Sequence, residues 1–286
     1  MINPFNVQNR FYSTIDEVHL HLGLIQMRGS VLNSVFNLKI EKRRFYDVIP
    51  IPFSGRVSES CYHHSMNKVR GMDDALAPIC DGMRVMVAGF MTVGTPLGLI
   101  EALTTRGPRH LTVVCSDAGT PGKGAGMLVD ANMVDTFIGS HVGLNPRIGE
   151  RMAAETMNVH LVPQGTLAER IRCAGAGLGG FFTPTGAGTE WAEGKECRTI
   201  NGKSYVFENP LPGDVALIRA HRADASGNCI FRKSARNFNP LMAMACQYVV
   251  VEADIVEEHP LDPDQVMLPG VFVDAVVHRK EMAHGC

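Results

Sequence analysis

Residues 81–107 have the sequence DGMRVMVAGFMTVGTPLGLIEALTTRG, which predicts one strand–loop–helix unit. Its apolar run at 84–88 predicts a short buried strand, and residues 96–105 carry the 3.6-residue periodicity of a helix. We expect Thr95 to be the N-cap, with the proline that follows it at the first helical position, and Gly107 to end the helix. A strand that passes through a glycine-bearing loop into a helix is the repeating unit of parallel α/β sheets.

The alternation of strands and helices continues along the rest of the chain. Strands are predicted at 111–115, 136–139, 159–162, 215–220, 229–231 and 248–251, and helices at 165–173 and 239–246. Alternating elements need crossover connections, which place helices over both faces of a sheet. We therefore predict one α/β domain over residues 66–286, with a mostly parallel sheet and helices on both of its faces.

Residues 1–65 have a different pattern. Their apolar residues follow neither a period of 2 nor one of 3.6 for long, and no apolar segment follows a basic start as in a signal peptide. Acidic residues such as Asp16 and Glu41 argue against an organellar transit peptide. We expect this part to be a poorly ordered extension, or an upstream stretch that precedes a natural start at Met66.

The composition is that of an ordinary globular protein, with 45% apolar and 20% charged residues. A net charge of −2 provides no basic field for nucleic acid, and no stretch has the roughly 18 apolar residues that cross a bilayer. The eight cysteines form no CxxC pair, and several lie in apolar runs, as Cys115 does. We expect buried thiols in a reducing cytoplasm, and we expect no metal site because His63 and His64 lack ligand-like spacing to cysteines.

The first candidate site is the loop between the predicted strand at 84–88 and the helix after it. Glycines let the backbone approach a ligand closely, and the free N–H groups of a helix N-terminus attract anions. Many strand-to-helix turns need glycine for geometry alone, so the loop by itself leaves both interpretations open. The candidate binding residues are Gly89, Phe90, Met91, Thr92, Val93, Gly94 and Thr95.

Three later segments also carry candidate chemistry. Gln164 lies just beyond a predicted strand end, where its amide could donate to a carbonyl oxygen, or could instead cap the next helix or satisfy loop backbone. Residues 174–189 are dense in glycine, which favours a substrate-facing loop over a flexible connection because Phe181 and Phe182 require burial. Residues 232–240 contain three cations in five positions, which suit an anion, a solvated surface or a surface that faces another protein chain.

Together these segments resemble the alpha subunits of family I CoA-transferases of the acetate–acetoacetate and 3-oxoacid type. The family signature is an acidic-Gly start, three apolar residues, Gly-Gly-Phe and then Gly-x-Pro; the first glycine of the Gly-Gly pair is Ala88 here. PQGTLAERIRCAGAGLGGFFTPTGAGT, GDVALIRAHRADASGN and FRKSARNFNPLMAMA match in order and spacing, so the resemblance covers residues 66–277. A methyl group at Ala88 is tolerated where φ is negative and strained where φ is positive.

The resemblance implies a ping-pong transfer of CoA between carboxylic acids through an enzyme glutamyl-CoA thioester. In two-subunit members the glutamate lies on a beta subunit in a Glu-Asn-Gly segment, whereas Glu208-Asn209 here precedes a proline. We expect Glu208 to have a surface or turn role, Glu252 to end a strand, and neither to be the nucleophile. The same expectation holds for the glutamates of a polar hairpin-like stretch, which are Glu190, Glu193 and Glu196.

The resemblance also implies a division of labour between two chains. Residues 89–95 would contact CoA, Gln164 would polarise the thioester, and residues 177–188 would help to shape the acyl pocket. A beta-type partner, in a heterotetramer of two copies of each chain, would supply the glutamate. We expect acetoacetyl-CoA with acetate or butyrate as substrates, and succinyl-CoA with a 3-oxoacid such as 3-oxoadipate as the alternative. A non-catalytic CoA-binding module is a second hypothesis, and a sugar-phosphate isomerase a third, although no internal acid–base pair can be assigned to the latter.

Overall fold

A central sheet of eight strands forms the frame of the chain. The computed structural model describes residues 67–279, so the predicted extension at 1–65 lies outside the described residues. The strands of the sheet are β1 Arg84–Val87, β2 Leu111–Val114, β3 Val134–Gly139, β4 Asn158–Leu161, β8 Gly213–Asp224, β9 Cys229–Ile230, β10 Cys246–Glu257 and β11 Ala275–His278. They run in the order β11-β10-β8-β1-β2-β3-β4, every neighbouring pair in this order is parallel, and β9 pairs antiparallel with β8. The predicted mostly parallel sheet is confirmed.

A second, smaller sheet is antiparallel. It consists of β5 Phe181–Thr183, β6 Cys197–Ile200 and β7 Lys203–Glu208 in the order β5-β7-β6. The strand β5 forms inside the glycine-dense segment at 174–189, since the ring of Phe182 packs against Phe207 with a centroid distance of 5.2 Å. The aromatic pair therefore gives this segment ordered structure, as the two phenylalanines predicted.

Helices cover both faces of the central sheet, and they are α1 Met72–Leu76, α2 Leu97–Arg106, α3 Gly126–Asp130, α4 Pro146–Ala153, α5 Gln164–Gly175 and α6 Asn239–Ala245. Successive side chains of a strand point to opposite faces. Accordingly Val85 belongs to the core under α1 to α4, whereas Met86 belongs to the core under α5 and α6. No helix within residues 67–279 is long and apolar enough to cross a membrane.

The strands β8 and β10 are much longer than the sequence predicted. Each has twelve residues, and they pair from Cys246 opposite Gly213 to Glu257 opposite Asp224. The predicted strands ended at residues 220 and 251, whereas β8 and β10 continue through several charged residues beyond these positions. In the structure those charges pair across the ladder, and Arg219 donates to Asp254 at 2.9 Å. Glu252 therefore lies inside β10, and the prediction that it ends a strand is wrong.

The GDVALIRAHRADASGN stretch has a structural role at its end. Asp224 is the last residue of β8, and its buried side chain accepts hydrogen bonds from the backbone N–H groups of Ser226, Asn228 and Leu261, each at 3.0 Å. Asn228 also donates its side-chain amide to Asp224 at 2.8 Å. This carboxylate organises the turn into β9, which the Gly227-Asn228 pair predicted, and its bonding partners are all part of the fold.

Candidate active site

The loop after β1 folds into a tight, strained turn. Phe90 donates its N–H to the carbonyl of Val93 at 3.0 Å, and Val93 donates back at 2.9 Å. Between them Met91 and Thr92 have φ values of 46° and 67°, in the left-handed region that costs a non-glycine residue roughly 1–2 kcal/mol. The side chains of Phe90, Met91 and Val93 remain exposed, by 44%, 53% and 47%. The turn thus holds three apolar side chains in solvent.

Glycine is required on both sides of this turn. Gly89 has φ 116°, and a Cβ atom there would lie 1.9 Å from the Oγ1 of Thr95. At Gly94, with φ 73°, a Cβ atom would lie 2.6 Å from the carbonyl oxygen of Ala235. Ala88 does not have a positive φ, and its buried N–H donates to Leu217 at 3.0 Å as a continuation of β1. The departure from the family signature at Ala88 is therefore accommodated without backbone strain.

The N-terminus of α2 is closed by an internal carboxylate. Oε2 of Glu252, which is completely buried, accepts the N–H of Leu99 at 2.9 Å. Thr95 is not the N-cap: the helix starts at Leu97, Pro96 is the capping residue, and no side-chain cap bond forms. The Thr95 hydroxyl packs against Gly89 instead. The predicted cap is therefore wrong, and the N–H groups expected to attract an anion are already engaged by the protein.

This arrangement makes stability depend on pH through Glu252. Burial raises the pKa of this carboxyl, although hydrogen bonds from Leu99 and Gly98 and the nearby Arg279 act to lower it. A raised folded pKa means that the stabilisation is complete below the unfolded value of about 4.3 and is lost as pH rises through the folded pKa. We therefore expect the stability of the wild type, relative to Glu252→Gln, to fall as pH rises.

Urea unfolding of both proteins at pH 5 and pH 7.5 measures this difference. Glu101→Gln is the matched control, because Glu101 is an exposed glutamate of α2. A difference between wild type and Glu252→Gln that stays constant with pH would contradict the prediction, as would an equal change in the control.

A groove of about 600 Å³ lies beside the turn. The structure brings two predicted site segments together there, since Gln164 is exposed as the first residue of α5 and lines the groove with the turn. Within residues 67–279, the Gln164 side chain has no hydrogen-bond partner, so neither the helix cap nor the loop backbone engages its amide there. The complete lining is Phe90, Met91, Val93, Gln164, Ala168, Ser234, Asn237, Phe238 and Leu241.

Two other predicted segments contribute differently. Residues 232–240 reach the groove through Ser234, Asn237 and Phe238, whereas their cations Arg232, Lys233 and Arg236 are not in its lining. Residues 177–188 are not in the lining either, because part of this segment forms β5 in the smaller sheet. The described surface of the groove is therefore neutral and mainly apolar. Such a surface suits an uncharged chain with one or two polar atoms, and does not suit a phosphate.

Sequence reasoning missed a second glycine-bearing loop after β2. Asp117 accepts the N–H of Met91 at 2.9 Å with one oxygen and the N–H of Gly119 at 3.0 Å with the other. Gly119, Gly122 and Gly124 all have positive φ. The signal was available, since three glycines directly follow a predicted strand whose carboxyl end lies beside that of β1.

The glutamates of the described chain are placed outside the groove. Glu208 is 2% exposed and accepts from Trp191 at 2.7 Å and Lys195 at 2.8 Å, with Arg170 at 3.8 Å. The predicted surface or turn role is thus wrong for Glu208, because it is the buried centre of a network that joins α5 to the smaller sheet. Glu252 is sealed under α2, and Glu190, Glu193 and Glu196 are exposed residues beside the smaller sheet.

The fold and the groove by themselves define a class of protein. A parallel sheet whose strands end in glycine-bearing loops, with a polar amide at a carboxyl-end groove, is an α/β ligand-binding or catalytic domain. Residues 69–279 match the model of the family described as Coenzyme A transferase, and the chain belongs to this family.

Individual relatives agree with that assignment. The chain is 48% identical over 215 residues to the alpha subunit of the acetate CoA-transferase of Escherichia coli K12, and the match covers 75% of this chain and 98% of the relative. It is 46% identical over 200 residues to the A-type subunit of the succinyl-CoA:3-ketoacid coenzyme A transferase of Xanthomonas campestris, covering 70% and 83%. A solved acyl-CoA transferase from Escherichia coli O157:H7, a thioester complex with CoA, has the same fold with a TM-score of 0.65 at 22% identity. This chain spans 47% of that longer protein, which covers 74% of this chain.

Proposed function

We propose that this chain is the alpha-type subunit of a two-component CoA-transferase, and that its groove binds the thioester end of an acyl-CoA. The observation that carries the proposal is the meeting of the Phe90–Val93 turn and Gln164 around one groove, whose lining within residues 67–279 contains no carboxylate. A glutamyl thioester needs a glutamate next to the acyl carbonyl. The beta-type partner would supply it, and Gln164 would donate to the thioester oxygen as negative charge develops there.

The hydrogen bond between Glu252 and the first turn of α2 bears on which part of CoA the glycine loop at 89–95 would contact. Because Glu252 already accepts from Leu99, the helix terminus does not provide a site for the phosphates of CoA. The exposed apolar side chains of Phe90, Met91 and Val93 suit the uncharged pantetheine and acyl parts instead. In this proposal residues 89–95 contact CoA near its reactive sulfur, and the charged nucleotide part binds elsewhere in the assembly.

The neutral lining also favours one acyl class. A short monocarboxylic acyl group, such as acetoacetyl or butyryl, has no second charge to compensate in a groove whose described lining residues include no cation. The acetate-type relative supports this choice. A succinyl group would require a cation from the partner, and the 3-ketoacid relative keeps that alternative open.

Reconstitution tests the proposal. The full chain, its beta-type partner and the two together are assayed for CoA transfer from acetoacetyl-CoA and from succinyl-CoA to acetate, butyrate and 3-oxoadipate. We expect transfer only from the mixture, with acetoacetyl-CoA as the better donor. Transfer by this chain alone would refute the division of the site between two chains. Tight CoA binding without transfer in the mixture would support a non-catalytic binding module.

The proposed enzyme is a heterotetramer in the cytoplasm. Light scattering of the reconstituted enzyme should give the mass of a heterotetramer with two copies of each chain. Cys115, Cys173 and Cys229 are buried free thiols, which agrees with a reducing compartment such as the cytoplasm.

A further inference from the structure

The strained turn between Phe90 and Val93 has supports on two sides, and these supports have no role in the proposed chemistry. Left-handed backbone at two adjacent non-glycine residues persists only where surrounding structure holds it. Thr92 is the more demanding of the two, because a β-branched side chain rarely adopts a positive φ. Side chains from two neighbouring elements hold the turn in place.

Asn239 holds the turn from the side of α6. Its side chain is completely buried, and its Nδ2 donates to the carbonyl of Gly94 at 3.0 Å and to that of Ala235 at 2.8 Å. Its Oδ1 accepts the backbone N–H of Arg219 in β8 at 2.8 Å. One amide therefore connects the end of the turn to the central sheet. Asn237 adds a bond to the carbonyl of Val93 at 2.9 Å.

Asp117 holds the turn from the side of β2. Its Oδ2 accepts the N–H of Met91, the first of the two left-handed residues, at 2.9 Å. Its Oδ1 accepts from Gly119, so the carboxylate is itself fixed by its own loop. The carbonyls of the turn are thus bound by asparagines on one side, and an N–H of the turn is bound by a carboxylate on the other.

We infer that Asn239, acting with Asp117, is a positioning residue that holds the Phe90–Val93 turn against the groove. Without this clamp the turn relaxes toward unstrained conformations, and Phe90 and Val93 leave their places in the lining. The effect on catalysis rests on the proposed function, whereas the effect on the turn does not. Hydrogen–deuterium exchange therefore tests the clamp on the turn, and kinetics of the reconstituted enzyme test its effect on the proposed function.

Hydrogen–deuterium exchange on the full chain tests the clamp directly. The amides of Phe90, Met91, Val93 and Thr95 are all hydrogen-bonded in the turn. In Asn239→Ala we expect a peptide that covers residues 89–95 to exchange at least tenfold faster, with peptides of β2 and β3 unchanged. Asn228→Ala is the matched control, since Asn228 also makes side-chain hydrogen bonds in both directions but does not contact the turn. Unchanged exchange at 89–95 in Asn239→Ala would overturn the inference.

A second variant and a rescue guard against a general loss of structure. Asp117→Ala should accelerate exchange in the same peptide from the opposite side, and if Asn239→Ala does not fold, this variant decides the question. Adding Thr92→Gly to either variant removes strain from the turn, and should partly restore its protection. In the reconstituted enzyme, Asn239→Ala should lower kcat/KM about tenfold, and the double variant should recover part of it. If exchange at 89–95 is faster in Asn239→Ala and adding Thr92→Gly does not slow it, the role of Asn239 is structural only, and the assignment is overturned.

Discussion

Gly89→Ala should lower the kcat/KM of the reconstituted enzyme at least a hundredfold while leaving the central sheet folded. The added Cβ would lie 1.9 Å from the Thr95 Oγ1 and 2.9 Å from its Cβ, and φ at this position is +116°. A β-carbon cannot be accommodated there, so the loop must move. A displacement of about 1 Å at a reacting centre can lower a rate by about a hundredfold.

Steady-state kinetics with acetoacetyl-CoA and circular dichroism of the isolated chain together check this result. Gly107→Ala is the matched control: Gly107 ends α2 with φ 73°, and no atom lies within 4 Å of a Cβ built there. It should reduce stability slightly and leave kcat/KM unchanged. Wild-type activity in Gly89→Ala would mean that the observed loop geometry is not needed for transfer.

Gln164→Ala should lower kcat about a hundredfold with little change in KM. A donor that acts on developing negative charge contributes mainly in the transition state, and removal of one such donor typically lowers kcat about a hundredfold or more. Gln164 is exposed at the groove, and no bond of its side chain within residues 67–279 would be lost, so the folded structure should persist. Initial rates over a range of acyl-CoA concentrations separate the two kinetic constants.

Gln164→Glu makes that test sharper. Glutamate has nearly the same shape, but it cannot donate when ionised and it places a negative charge beside the developing one. The proposed role therefore requires a larger loss in Gln164→Glu than in Gln164→Ala. A rise in KM with an unchanged kcat in both variants would show that Gln164 contributes to uniform substrate binding only, and would refute its role in polarising the thioester.

The local structure around the turn and Gln164 was predicted from the sequence, but their meeting in one groove was not. The bounds of β1 and α2 were predicted within one or two residues. An apolar run predicts the strand and a period of 3.6 residues predicts the helix, and both are local properties of the sequence. Gln164 was placed beyond a strand end for the same reason. Its meeting with Phe90 in one groove is not local, since it depends on β4 and β1 ending at the same edge of a parallel sheet.

Three predictions failed where a distant partner decided the outcome. Threonine is a common N-cap residue, but at α2 it is Glu252, more than 150 residues later in the chain, that accepts an N–H of the first turn. Glu208 was predicted to be a surface or turn residue, but it is buried and accepts hydrogen bonds from Trp191 and Lys195. The strands β8 and β10 were predicted to end at residues 220 and 251, whereas they continue through charged side chains that pair across the ladder.

The parallel α/β class, the glycine loop at 89–95 and the position of Gln164 could all be predicted from the sequence, because each follows from periodicity or from the conformational range of glycine at one place in the chain. The tertiary structure adds that the N–H of Leu99, in the first turn of the helix after this loop, is already bound by a carboxyl group of the protein. Burial of Glu252 under α2 fills the helix terminus with an internal carboxylate, and the clamp of Asp117 and Asn239 holds a strained apolar turn beside the groove. Both depend on residues that are far apart in sequence, and only packing brings such residues within hydrogen-bond distance.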